Sequence, residues 1–296
     1  MIKDGVVVSL HIGYWQGKKA LKAEDLGLDP ANVPEIFNLG QKMLIPLEER
    51  NAFRNIETRA RQRLEALSFH FFASTGSRFV PLKGLGKVLE DLKNMKGEFD
   101  EAVEDILSRY QVIRAEMLEK YNELRDKLEP YYPSPTALRS KYYFKWEVYQ
   151  ISAPDASEAV PEDLVAEYAK FKDSLRREFE GFLEEAARDL RAQVAEKAEA
   201  ILKKINSGEI IRSQTLDSVR SMIDRFETLN FIGDKTVEQA LAKLRKSING
   251  STGEDVAAGS DLREKIGEAA KKVAEAAGNQ SDIGQVAGRY RRAIMM

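Results

Sequence analysis

The segment Lys83-Gly-Leu-Gly-Lys87 is where this chain comes nearest to a chemistry-bearing motif. Glycines let backbone amides approach a phosphate closely, and a lysine can then neutralise it. The phosphate loop of nucleotide hydrolases would also need glycine at position 81 and serine or threonine at position 88. Pro81 and Val88 stand there. ATP binding is therefore not supported, and the glycines are expected to shape a turn from strand to helix. His11 and His70 form a bare pair with no third ligand at a telling spacing, so satisfied or surface histidines are the plainer reading. With no cysteine in the chain, thiolate metal sites, disulfides and cysteine catalysis fall away. Glu101, Glu104 and Asp105 lie on the solvent side of a helical stripe, and no Glu-x-x-His pair suggests a carboxylate-bridged di-metal bundle. No catalytic residue, cofactor or metal site is expected, and the chain is read as a non-enzyme.

Two stretches could bind rather than react. Arg50, Arg54 and Arg61 share one side of a helix that starts after Pro46, with Arg59 and Arg63 on the other border of its apolar stripe. Such a face can hold phosphates or acidic partner side chains. The plainer alternative is pairing with Glu48, Glu49, Glu57 and Glu65 or with acidic helices nearby. The second stretch, Tyr142-Tyr-Phe-Lys-Trp-Glu-Val-Tyr-Gln-Ile151, gathers Tyr142, Phe144, Trp146 and Tyr149. Aromatics on a strand can stack bases, but a half-buried strand carries the same pattern as core or as a protein interface.

The elements that would position these residues are mainly helices. Apolar residues from Leu92 through Met95, Phe99, Val103, Ile106, Tyr110, Ile113 and Met117 to Leu128 recur in steps of three or four. That spacing predicts a long, nearly straight helix over Leu85–Glu129, ended by Pro130. A second stripe, Leu164, Tyr168, Phe171, Leu175, Phe179 through Ile205, predicts another over Pro161–Ser207. Each would be roughly 65 Å long at helical rise, and two matched stripes most simply pack antiparallel. Residues 5–14, 68–81 and 142–151 read as strands that must pair with one another, since a lone strand leaves its backbone unsatisfied. Shorter helices are expected over 213–229, 234–248, 261–277 and 281–294, with capping boxes at Thr236–Gln239 and Asp261–Glu264.

The fold class is thus mostly α with a small β-sheet. The expected divisions are 1–84, an α+β segment with the basic helix; 85–207, a long helical hairpin carrying the aromatic strand; 208–250, short helices; and 251–296, a flexible alanine-rich helical tail. A 43% hydrophobic and 32% charged composition fits a soluble, core-forming protein. No apolar run approaches a membrane span and no signal peptide opens the chain, so a cytoplasmic protein without membrane contact is expected. Both long-helix segments carry more carboxylates than basic side chains, which makes them poor surfaces for DNA.

The order Gly5, Trp15, Lys18-Lys19, a basic helix, then Arg78-Phe-Val-Pro81 before a long helix resembles a bacterial and phage domain family of unassigned function. The resemblance covers residues 1–250, and genes of that family often lie near those for MoxR-type AAA+ ATPases and von Willebrand A-domain proteins. It implies an accessory or adaptor role and assigns no functional residue. The expected function is a scaffold or adaptor that binds protein partners through long helices, an AAA+ ATPase among them, with a homo-oligomer also open. The alternative is an accessory protein that binds nucleic acid through the arginine helix and the aromatic strand.

Overall fold

The computed structural model describes residues 4–34, 36–71, 76–150, 162–256 and 260–295. It is mostly helical with a small β component. The chain forms two compact units. Unit 1 comprises residues 1–8, 66–86 and 148–296, and unit 2 comprises residues 9–65 and 87–147.

In unit 2, the end of strand β1 (Gly5–Gly13) lies beside strand β6 (Tyr143–Tyr149), and β2 (Lys18–Ala20) pairs antiparallel with β3 (Gln41–Met43). The β2–β3 pair was not expected. Three residues of Lys-Lys-Ala against Gln-Lys-Met carry no alternation that a strand reading could find. Gly17 sits at φ 57°, and a Cβ there would fall 2.2 Å from Ile45 Cγ1, so this turn needs glycine on both counts. Helix α1 (Leu47–Ala66) buries Phe53, Ile56, Ala60 and Leu64, as its periodicity predicts. Its Phe53 ring meets Phe99 of helix α2 (Leu82–Lys120) at 5.3 Å between centroids. The stripe from Leu92 to Met117 is buried.

Helix α2 stops at Lys120, short of the expected Glu129. Tyr121 leaves helical geometry at φ −116°, ψ 45°, and a 3-10 turn, the short helix α3 (Arg125–Leu128) and another 3-10 turn follow. The connector is then pinned by tyrosines: Tyr110 Oη donates to the Pro133 carbonyl at 2.7 Å and Tyr132 Oη to the Leu44 carbonyl at 2.6 Å. Burial pushes both phenols up to about 12, which keeps them protonated donors. A short helix, α4 (Pro135–Arg139), is capped by Ser134 and leads into β6.

In unit 1, strand β5 (Arg78–Pro81) lies antiparallel between β1 residues Gly5–Val8 and strand β4 (Phe69–His70), so the strand segments of 68–81 pair with each other and with β1. Gly84 is in the first turns of α2 and not in a turn before it. Its Cβ would lie 2.9 Å from Thr228 Cγ2, so glycine permits close packing there. Helix α5 (Val165–Asn206) is covered from Leu183 onward by α6 (Ser213–Leu229), α8 (Asp261–Gly278) and α9 (Ile283–Met295), while α7 (Lys235–Ile248) packs on α8. Helix α2 buries its stripe from Val88 to Met117 within unit 2 and α5 buries its own from Leu183 onward within unit 1, so mutual pairing is not needed to bury those lengths. The alanine-rich helix α8, read from sequence as a flexible tail, buries Ile266, Ala269, Ala270 and Val273; small side chains let it lie close along α5. The helix caps are also not the expected boxes. Asp234 accepts from Val237 N, and Ser260 accepts from Arg263 N at 3.2 Å.

A buried cation ties these helices together. Arg191, 1% exposed on α5, donates from Nε to Asp234 at 2.6 Å, from Nη1 to Asp282 at 2.6 Å, and to the Asn279 carbonyl. Asp234 closes the α6–α7 connection through its own amide, which donates to Asn230 Oδ1 at 2.7 Å. A second buried arginine, Arg263, donates toward the carbonyls of Lys204, Ile205 and Glu209, where the end of α5 concentrates negative dipole.

The hydrogen bond from Arg191 holds the Asp282 carboxyl below its ordinary value of 3.8. A depressed carboxylate contributes stability that is complete above its unfolded value, about 3.9, and lost as the pH falls through the folded value. Asp282→Asn is expected to be less stable at neutral pH and to lose less on acidification from about pH 5 to 2. Urea unfolding followed by circular dichroism at several pH values checks this. Parallel acid profiles for the two proteins would contradict it.

Candidate functional site

The arginine helix lies in unit 2 and is divided by its ion pairs. Arg59 pairs with Glu98 of α2, and Arg61 pairs with Glu57 at 2.9 Å one turn back. Around them the acids expected to compete are taken too. Glu49 accepts both Nη atoms of Arg109 at 2.7 and 2.9 Å, Arg109 also engages Asp105, and Glu104 pairs with Arg139 at 2.5 Å. Glu49 and Asp105 hold the Arg109 guanidinium charged, with its pKa raised further. Among the described residues no ion pair engages Arg50, Arg54 or Arg63. Arg54 and Arg63 are exposed, and Arg50 is half-buried beside the start of α1.

The aromatic strand separates into roles. Phe144 is buried against Phe99, with ring centroids 5.7 Å apart, and Trp146 packs edge-on to Phe144 at 6.2 Å. Tyr142 covers Phe53 at 4.9 Å. Its hydroxyl is buried with no hydrogen-bond partner among the described residues, and this burial raises the phenol's pKa. Tyr149 is 47% exposed. The face of β6 that carries Phe144 and Trp146 is therefore turned to the core, and Tyr149, on the opposite face, is partly exposed. Ile151 lies outside the described residues.

The two histidines sit in different units with separate neighbours. His11 Nε2 is 3.7 Å from Glu147, and His70 Nε2 is 2.7 Å from Arg78 Nη1. Among the described residues no three metal-ligating side chains converge.

Sequence reasoning missed two features of this unit. Lys42 is buried, 2.8 Å from Asp25 and 4.1 Å over the Tyr131 ring, and its hydrogen bond holds the Asp25 carboxyl below 3.8. Beside α1 there is also a groove of about 380 Å³ with an apolar floor that includes Ile45 and Met117, and with Arg50 and Lys120 on its lining. The signal for the groove lay in the unbroken run Met43-Leu-Ile-Pro-Leu47 before the helix, which is too apolar for a simple connection.

A family model described as "Protein of unknown function (DUF3150)" matches residues 2–270. The chain belongs to this family. No curated protein and no solved structure matches the chain. The match covers unit 2 and most of unit 1, ending within α8. Among the described residues, no helix is long and apolar enough to cross a membrane.

The roles within β6 can be separated by truncation. Phe144→Ala is expected to cost about 3–5 kcal/mol, the range for emptying a buried phenylalanine site. Tyr149→Ala is expected to cost clearly less, since nearly half of its surface is already in water. Equal losses in chemical denaturation would contradict this division.

Proposed function

We propose that this protein is a non-enzymatic scaffold or adaptor of the cytoplasm that binds a protein partner through its long helices, within an assembly driven by an AAA+ ATPase. The observation that carries the reading is the uncovered start of α5. From Val165 to Glu178, about four turns, none of the described residues is buried, yet the stripe continues through Phe171, which is exposed, and Leu175, which is half-buried. Phe171 is 54% exposed, with Leu164 and Val165 similar. Apolar residues at helical spacing on one face are the pattern by which a helix lies against a partner. Single exposed apolar residues are ordinary, but a periodic row on one helix is not.

Binding of nucleic acid has less behind it. Arg59 and Arg61 are engaged by Glu98 and Glu57, and the neighbouring face of α2 carries Glu101, Glu104 and Asp105. Arg50, Arg54 and Arg63 are what remains to support it.

The test is reconstitution with a MoxR-type ATPase from the same cell, with affinity measured by calorimetry. The native chain is expected to bind. Phe171→Asp/Leu175→Asp should weaken binding at least about tenfold, since each lost apolar contact is worth about 1.5–3 kcal/mol when buried. Failure of the native chain to bind removes the ATPase from the proposal. Binding untouched by the double change removes α5 as its surface.

A further inference from the structure

We infer that the groove at the start of α1 is a docking site for a short peptide that combines an apolar anchor with carboxylates. The inference rests on the adaptor reading and gives it a second contact surface, separate from α5. The floor is apolar, with Ile45 and Met117 almost fully buried beneath it and Met43 half-buried at its side. Two unbranched, polarizable methionines can adapt to anchors of different shape. The rim keeps apolar surface in water: Leu47 is 50% and Tyr121 41% exposed. A volume of about 380 Å³ lies at the small end for ligand pockets and suits one or two side chains.

The charges select the rest of the occupant. Arg50 and Lys120 both line the groove, and among the described residues neither is in an ion pair. Lys120 instead lies 5.5 Å over the Tyr121 ring. Every other arginine of α1 either pairs with a carboxylate or stands away from this groove. Pro46 and Leu47 open α1, so the groove also faces the positive end of a 20-residue helix. Glu48 on the same rim is exposed and opposes these charges, leaving one net positive charge on the lining. An apolar side chain seated on Met43 and Met117 would bring flanking carboxylates to Arg50 and Lys120, where a guanidinium can take them bidentately.

The probe is a fluorescein-labelled nonapeptide alternating leucine with aspartate, titrated by anisotropy against the full chain at low salt. Companion arms use the same peptide with asparagine in place of aspartate, and unlabelled dodecanoate as competitor. Expected is binding on the order of 10–100 µM, weakened at least tenfold by the asparagine peptide, by Arg50→Ala/Lys120→Ala and by Leu47→Glu. All three changed positions are at the surface or rim, and unchanged thermal unfolding confirms that the variants fold. No binding of the acidic peptide, equal binding by the asparagine peptide or by either variant, or dodecanoate that binds where the peptide does not, would each overturn the inference. Phe171→Asp/Leu175→Asp must leave peptide binding intact. The ATPase experiment can therefore fail while this one succeeds, and the reverse.

Discussion

A guanidinium that has lost its water dictates the arrangement of unit 1. Arg191 is 1% exposed, and an unpaired charge at that depth would cost several kcal/mol. It is tolerated because three acceptors converge on it from separate places in the chain: Asp234 before α7, and Asn279 and Asp282 between α8 and α9. The position of α5 is thereby fixed against both connections at once. Arg263 repeats the solution at the end of α5, donating to carbonyls of its last turn, and the half-buried Arg220 donates to the carbonyls of Ile248 and Ser251 at the end of α7. Buried pairs of this kind give little net stability over apolar replacements, but breaking one is costly. A slip of α5 would part the Arg191 guanidinium from these acceptors and leave it buried and unpaired.

Periodicity made the helices legible and their ends less so. The stripes of α1, α2 and α5 and the short helices after Gly208 follow from spacing alone, because a helix that must bury one face writes that face into every third or fourth residue. The places where reading failed are those where tertiary contacts outweighed local pattern. Tyr121 keeps the apolar phase of α2, so the break there is invisible until the connector is seen anchored through Tyr110 and Tyr132. Arg191 lies four residues after Ala187 and three before Val194, on the buried side; its position was readable, but a charged residue there resembles an ordinary solvated one. Lys42 concealed itself in the same way, and its partner Asp25 lies 17 residues earlier, in a 3-10 turn over Ala23–Leu26. The arginines of α1 were found as a group, yet which of them pair depends on α2, which no local pattern records.

The same economy separates binding surface from frame. Where cations are buried or paired they hold helices: Arg191 and Arg263 in unit 1, Arg59 and Arg109 in unit 2. Where apolar side chains stay in water, as along the first turns of α5 and around Leu47 and Tyr121, the fold has supplied no cover. A chain of this length can bury such residues when nothing else requires them outside. Their exposure is therefore the strongest argument for partners, and the position of Arg50 and Lys120 beside one such patch argues for what that partner carries.

Helix α5 is one helix in two states of support, clamped from Leu183 onward and, among the described residues, uncovered before Glu178. Native-state hydrogen exchange on the isolated chain tests it most directly, since local opening is easy where few apolar contacts resist it. Amides over Val165–Glu178 are expected to exchange rapidly and those from Leu183 to Ile201 slowly, with the change falling between them. Uniform slow exchange along the whole of α5 would contradict it.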